Sequence, residues 1–286
     1  MAAPGDQPLV LATPELVHET VARWRRVDGS IGLVPTMGAL HTGHLSLVDR
    51  AVADNDRTVV SIFVNPLQFG PQEDFARYPR DLTGDLAKLA GRKVDAVYAP
   101  TTGRMYPEDA TTRVTVSGLS EVLEGAHRPG HFNGVATVVT KLFSAVRPDR
   151  AYFGQKDAQQ AAVISRMTRD LDLGVEIVLC PTVREADGLA LSSRNVYLSA
   201  DERKAALGLS RALRAANDAY LEGERDANRL RQRMRDVLER EPLLRVDYAE
   251  VVDPRDFQSP GDLAVVAGRV GTTRLIDNHP LGKPLP

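Results

Sequence analysis

The chain predicts an open, mainly parallel α/β sheet followed by a smaller α+β unit. Three observations carry this. Short β-rich runs alternate with amphipathic stretches through the first two thirds of the sequence. The run 58–64 (Thr-Val-Val-Ser-Ile-Phe-Val) is continuously β-favouring rather than alternating, as in strands covered on both faces. From Ala200 the character changes to two long Arg/Glu-rich helices and three β-like runs.

In order, a short strand is expected at 9–11. Thr13-Pro14-Glu15 reads as cap, first-position proline and acid, opening a helix to about residue 27. The apolar run 31–34 is a buried strand stopped by Pro35, and Gly38 loosens the turn after it. Leu45, Leu47, Val48, Ala51 and Val52 then recur at helical spacing. After the 58–64 strand comes the turn cluster 65–70. A helix over 81–90 and a buried strand at 94–99 follow. An exposed strand at 114–116, a short helix at 119–124 and a glycine-rich loop at 125–134 lead to an apolar helix over 135–146. The run 150–153 is a strand, 154–160 a polar turn into a helix to about 171, and 175–180 a last buried strand. The charged stretch 184–188 marks the boundary, giving domains of 1–183 and 184–286. In the second, Ser199 caps a helix over 200–222. A second helix spans 226–240, strands follow at 246–252, 263–267 and 272–276, and the proline-bearing end 279–286 frays.

Composition narrows the function classes. The 286 residues are 43% hydrophobic and 26% charged, with a formal net charge of −2. Nothing suggests bulk attraction to nucleic acid or anionic membranes. No apolar run reaches membrane-helix length, and the N-terminal Met-Ala-Ala-Pro-Gly-Asp has no secretion-signal pattern. Cys180 is the one cysteine, which excludes an intrachain disulfide and fits a cytoplasmic setting.

In open parallel sheets ligands bind beyond the C-terminal strand ends, so the loops there are the candidates. His41 and His44, three apart at a helix start, share the face of its first turn, with Gly43 between them where a side chain would block a close ligand. Unpaired N–H groups and the helix dipole make that end a phosphate site. The imidazoles add donors without a permanent charge. Zinc is disfavoured: it needs at least a third ligand, the His-Glu-x-x-His spacing is absent and the chain has one cysteine. Gln68 in the next loop offers a donor and an acceptor, although alone it is an ordinary loop glutamine. In the second strand-to-helix turn, Lys156 can neutralise phosphate, Asp157 can accept from a ribose hydroxyl, and Gln160 shares the helical face of Lys156. Only six of the 36 basic residues are lysines, which adds weight to Lys156. Ser192, Ser193 and Arg194 form a polyphosphate clamp or an ordinary helix-cap region. Arg128 and His131 suit either an anion clamp or a surface turn.

His-Thr-Gly-His resembles the His-x-Gly-His signature of class I aminoacyl-tRNA synthetases and nucleotidylyltransferases. With Pro-Thr-Met-Gly-Ala-Leu before it, the stretch resembles the pantothenate synthetase (pantoate–β-alanine ligase) family. Six further motifs follow in family order: Phe-Val-Asn-Pro-x-Gln-Phe, Tyr-Pro-Arg, Arg-Pro-x-His-Phe-x-Gly-Val, Phe-Gly-x-Lys-Asp-x-Gln-Gln, Arg-Glu-x-Asp-Gly-Leu-Ala-x-Ser-Ser-Arg-Asn and Gly-Thr-Thr-Arg-Leu-Ile-Asp-Asn. Leu191 stands where many members have Met, and Gln155 where Glu is common.

The resemblance implies a Rossmann-like N-terminal domain, a smaller C-terminal lid domain and a homodimer. It implies condensation of pantoate with β-alanine at the expense of ATP, with Mg²⁺, through a pantoyl-adenylate that releases AMP and pyrophosphate. His41, His44, Lys156, Ser192, Ser193 and Arg194 are then the catalytic donors. Met37, His44, Gly154, Lys156, Asp157, Val183, Ser192 and Arg194 hold ATP. Met37, Gln68 and Gln160 hold pantoate, and Arg128 and His131 sit where β-alanine binds. Asp85 matches the metal position best, with Asp81 second. Two rivals share the fold: a nucleotidylyltransferase acting on a phosphate acceptor, and a nucleotide-binding protein without chemistry. A full aminoacyl-tRNA synthetase is disfavoured by length and by the lack of a basic anticodon-reading domain.

Overall fold

The computed structural model describes residues 7–27, 29–71 and 73–285. Strands β1 (Leu9–Leu11), β2 (Ile31–Thr36), β3 (Arg57–Ile62), β4 (Ala96–Tyr98), β5 (Arg150–Gly154) and β6 (Glu176–Cys180) make one parallel sheet in the order β1-β4-β3-β2-β5-β6. Between them run α1 (Pro14–Trp24), α2 (Thr42–Asp54), α3 (Leu82–Leu89), α4 (Thr102–Met105), α5 (Glu124–His127), α6 (His131–Val146) and α7 (Ala158–Asp170). Helices α8 (Ala200–Leu221) and α9 (Ala227–Leu238) then precede an antiparallel sheet of β7 (Leu244–Val252), β8 (Leu263–Val270) and β9 (Thr273–Pro280).

Alternation along the central strands explains the layers. Leu33, Val59 and Phe153 face one core with residues of α1, α6 and α7, while Val34, Val60 and Tyr152 face another with residues of α2 and α3. Both faces are covered, hence the continuous apolar runs. From β2 the chain proceeds to one side of the sheet, and β5 and β6 lie on the other. The strand order therefore reverses between β2 and β5, and a crevice opens at their C-terminal ends. In the second sheet Ala264 and Val266 pack on α8 and α9, whereas Leu263 and Val265 join the large core under α6. The two sheets thus share packing.

Several local expectations change. Pro35 does not end its strand: β2 continues through Thr36, with Pro35 opposite Ser61 of β3. Residues 114–116 form no strand; the Val114 N–H is taken by Thr137 Oγ1 of α6 at 3.0 Å, and Val116 is buried. The helix expected at 119–124 is a series of turns, and α5 starts only at Glu124. The glycine-rich 125–134 segment is largely helical, with α6 beginning at His131 rather than 135. Strand β6 is a sheet edge, not a buried strand, and Leu179 is 48% exposed. The C-terminal segment is held: β9 runs to Pro280, and His279 and Leu281 are buried. Among the described residues, no helix is long and apolar enough to cross a membrane.

Candidate active site

The crevice contains a cavity of about 230 Å³. Its floor is the end of β2 and the start of α2. Gly38 (φ +84°) and Ala39 (φ +50°) both adopt left-handed backbone there, an uncommon choice for alanine. Asp85 at the start of α3 holds them in it. Its two carboxylate oxygens accept from the Ala39 and Leu40 N–H groups at 2.8 Å each, and Lys88 lies 3.4 Å away. Asp85 is 1% exposed and belongs to this loop. Each oxygen holds one loop N–H, which is the role the structure shows for it. Asp81, the second choice, caps α3 through Gly84 N–H.

His41 is the N-cap residue of α2 and makes no side-chain cap bond, so the first N–H groups of the helix face the crevice uncapped. His44, in the first turn, brings its ring centroid to 4.0 Å from that of His41. A Cβ on Gly43 would meet the His41 ring at 3.0 Å. The glycine therefore makes room for the imidazole, rather than directly for a ligand. Burial, then the facing His41 and Lys156, pushes the His44 pKa down to about 3. Burial and Lys156 also lower that of His41. Both rings are neutral donors at physiological pH. Nδ1 of each is shut off from solvent with no partner among the described residues.

Gln68 ends a short 3-10 helix, Pro66–Gln68, after β3. Its Nε2 donates to the Met37 sulfur at 3.1 Å, and its Oε1 accepts from Asn65 Nδ2 at 3.1 Å. Asn65 is itself buried, donates to the Gly134 carbonyl and accepts from Tyr106 Oη. A Cβ on Gly134 would collide with the Leu67 carbonyl, so glycine allows α6 to press against Gln68. The sequence alone assigns Asn65 no role, although it stands inside one of the motifs.

Gly154, Lys156, Asp157 and Gln160 line the opposite wall, at the end of β5 and the start of α7. Lys156 Nζ lies 3.6 Å from Asp157. Space beside Gly154 is open, leaving its backbone accessible. Val183 reaches the crevice too; its carbonyl takes the Leu191 N–H at 3.0 Å.

Ser192, Ser193 and Arg194 close the site. Ser192 Oγ caps the 3-10 helix Ser193–Tyr197 by accepting from Arg194 N–H at 3.2 Å, so the cap reading and the crevice position hold together. Arg194 forks onto Asp74 at 2.9 and 3.1 Å. Arg128 forks onto Glu73, both bonds 2.7 Å. Burial raises both carboxyl pKa values, but the guanidiniums outweigh it and hold them below the usual range. Arg128 also contacts His131 Nε2 at 3.0 Å, and His131 Nδ1 meets the Gln68 carbonyl at 2.8 Å. One tautomer satisfies both: Nδ1–H donates and Nε2 accepts. Burial and Arg128 bring the His131 pKa down to about 4. Sequence reasoning misses Glu73 and Asp74, which lie 55 and 120 residues from the arginines they hold.

No group of three or more His, Cys, Asp or Glu that could hold a metal occurs among the described residues. Asp157 in the crevice and Glu73 and Asp74 in the cleft beside it each face a cation. Among the described residues, the side chains offer no full ligand set for a resident metal.

A doubly wound sheet with uncapped helix N–H groups, neutral imidazoles, a lysine and a Ser-Ser-Arg loop at its switch point defines an α/β protein of the nucleotide-using class. The family model described as pantoate-beta-alanine ligase matches residues 9–280. The pantothenate synthetase of Roseiflexus castenholzii is 58% identical over 274 residues, covering 94% of this chain and 98% of that protein. A crystal structure of pantothenate synthetase from Thermus thermophilus superposes with a TM-score of 0.87 at 48% identity, covering 95% and 99% of the two chains. That of pantoate-beta-alanine ligase from Francisella tularensis, complexed with beta-gamma ATP and beta-alanine, gives 0.82 at 32% identity over 98% and 100%. The chain belongs to the pantoate–β-alanine ligase family.

Proposed function

We propose that this protein condenses pantoate with β-alanine, consuming ATP and releasing AMP and pyrophosphate through a pantoyl-adenylate. Beyond family membership, one observation carries the chemistry: two neutral imidazoles, His41 and His44, beside an uncapped helix start that lines the crevice.

The pantoate carboxylate is already a nucleophile at neutral pH. Its oxygen bonds to the α-phosphorus of ATP as the bond to the β-phosphate oxygen breaks. No base is needed; the barrier is like-charge repulsion and positioning. His41, His44 and the α2 N–H groups donate to the α-phosphate, where charge develops. Lys156, Ser192, Ser193 and Arg194 receive the leaving pyrophosphate. Asp157 and the Gly154 N–H hold the ribose. The Val183 N–H reads the adenine, since its carbonyl is taken.

Gln68 turns from the Met37 sulfur, a weak acceptor, to pantoate. Gln160 holds the other side of that substrate, and the Met37 backbone flanks it. The neutral amine of β-alanine then attacks the acyl carbon, AMP leaves, and the amine loses a proton. Arg128 and His131 act here by fixing the Gln68 backbone and the wall against which β-alanine lies, because most of their donors are spent within the network.

Magnesium arrives as part of the nucleotide substrate, held by phosphates and water as Mg²⁺ commonly is. The division at 184 into a nucleotide domain and a covering domain is part of this reading. So is a homodimer, for which the exposed Leu171 and Leu179 beside edge strand β6 offer a surface. A cytoplasmic setting fits the lone, buried Cys180.

The test is AMP release measured with each substrate withheld in turn. Release requiring both pantoate and β-alanine is expected. Release with neither would indicate simple hydrolysis and overturn the reading.

A further inference from the structure

Beyond the reaction site lies a second, larger cleft of about 980 Å³, whose inner mouth is formed by Lys156, Ser192 and Arg194 and whose outer wall is the β7-β8-β9 sheet. On that wall Arg245, Arg269 and Arg274 stand directly opposite one another across the three strands: Arg245 pairs with Arg269, and Arg269 with Arg274. Directly opposed residues of an antiparallel ladder share a face, and like charges there are destabilising. Only Arg274 has its charge met, by Glu124 at 2.6 Å through two nitrogens and by Asp247 at 2.7 Å. Arg245 and Arg269 have no carboxylate partner among the described residues, and neither has Arg77 across the cleft.

The acids of the cleft are already taken. Glu73 is paired with Arg128, Asp74 with Arg194, Glu124 with Arg274, Asp277 with Arg184 and, at 3.6 Å, Asp157 with Lys156. Arg274 meets Asp247 as well as Glu124, which leaves one negative charge over, but the three unpaired arginines, Arg77, Arg245 and Arg269, outnumber it and the net field of the cleft is positive. Two adjacent guanidiniums present paired N–H forks suited to phosphate oxygens. A cleft with a net excess of one sign of charge concentrates the opposite sign.

We infer that the arginine row of the second sheet is a polyphosphate site, distinct from the Lys156–Arg194 cluster, that takes pyrophosphate as it leaves the reaction site. This rests on the proposed function for its ligand. The same chemistry would suit the phosphate tail of bound ATP, and the experiment separates the two sources.

The variant is R245Q/R269Q, which keeps much of the side-chain length and removes a repulsion, so it is expected to fold with undiminished thermal stability. Inhibition by inorganic pyrophosphate is measured against ATP, alongside calorimetric titration of pyrophosphate into the protein alone. Pyrophosphate is expected to inhibit and bind about tenfold more weakly in the variant, with the difference shrinking as salt rises. If the KM for ATP rises by the same factor, the polyphosphate site stands and serves the ATP tail; if it stays within twofold, the ligand is the released product. Unchanged pyrophosphate affinity in both measurements would overturn the inference. A wild-type protein that binds pyrophosphate through these arginines but makes no adenylate would instead overturn the functional reading alone.

Discussion

Replacing Asp85 separates two roles for a buried carboxylate near a nucleotide site. As the strap of the 38–40 loop, it satisfies the Ala39 and Leu40 N–H groups. Asp85→Ala leaves both without acceptors, in a place where Leu40 is 3% exposed. Each unsatisfied buried donor costs about 1–3 kcal/mol, and the left-handed Ala39 loses its restraint. We expect a loss of about 3–5 kcal/mol, a large share of a typical 5–15 kcal/mol. Asp85→Asn is the sharper test. Its carboxamide keeps one acceptor but turns an NH₂ toward the other N–H, so about 2–3 kcal/mol should still be lost. Urea unfolding of the free protein reads this directly, and a Mg²⁺ titration of adenylate formation is run beside it. If Asp85→Asn unfolds within about 0.5 kcal/mol of wild type while its Mg²⁺ requirement rises sharply, Asp85 is a metal ligand and the strap argument is wrong.

Three further outcomes are expected. Lys156→Ala or His44→Ala should each slow single-turnover adenylate formation about a hundredfold or more, the scale for losing one oxyanion donor; near-wild-type rates would remove that residue from the mechanism. Asn278 donates to the Gln155 and Lys156 carbonyls at 2.9 and 2.8 Å, so Asn278→Ala should lower adenylation through a misplaced Lys156. That effect should vanish when measured in a Lys156→Ala background, whereas persistence there would show general loosening. His44 and His131 have pKa values of about 3 and 4, below the ordinary 6.5. Unfolding frees them to bind protons below about 6.5 that the fold refuses, so stability should be full above that pH and fall as pH drops toward 4. Imidazole resonances of His44 titrating near 6.5 in the free protein would contradict this.

The reaction-site strings are local, and locality made them legible. His41-Thr-Gly-His44 and Gly154–Gln160 each follow a strand and open a helix, so the strand-end rule placed both at one crevice. What escaped was tertiary. Glu73 and Asp74 look like solvated loop acids until the fold brings Arg128 and Arg194 onto them. Asp85 has the composition of a metal ligand and the geometry of a loop strap. Gly130 and Gly134 read as loop residues, yet Gly130 (φ +82°) caps α6 and Gly134 lets that helix touch the Gln68 turn. Strand β6 is apolar but lies at an edge, which periodicity cannot distinguish from a central strand. The C-terminal prolines suggested fraying, but Asp277 and Arg184 form a nearly fully buried pair that ties β9 down.

The central claim is that this site makes an acyl-adenylate from pantoate, and pyrophosphate exchange tests it most directly. Labelled pyrophosphate is incubated with the protein, ATP and Mg²⁺, without β-alanine, and label entering ATP is followed with and without pantoate. The account predicts exchange that depends on pantoate. Absence of exchange in a protein that still binds ATP would contradict it, and would leave a nucleotide-binding fold without this chemistry.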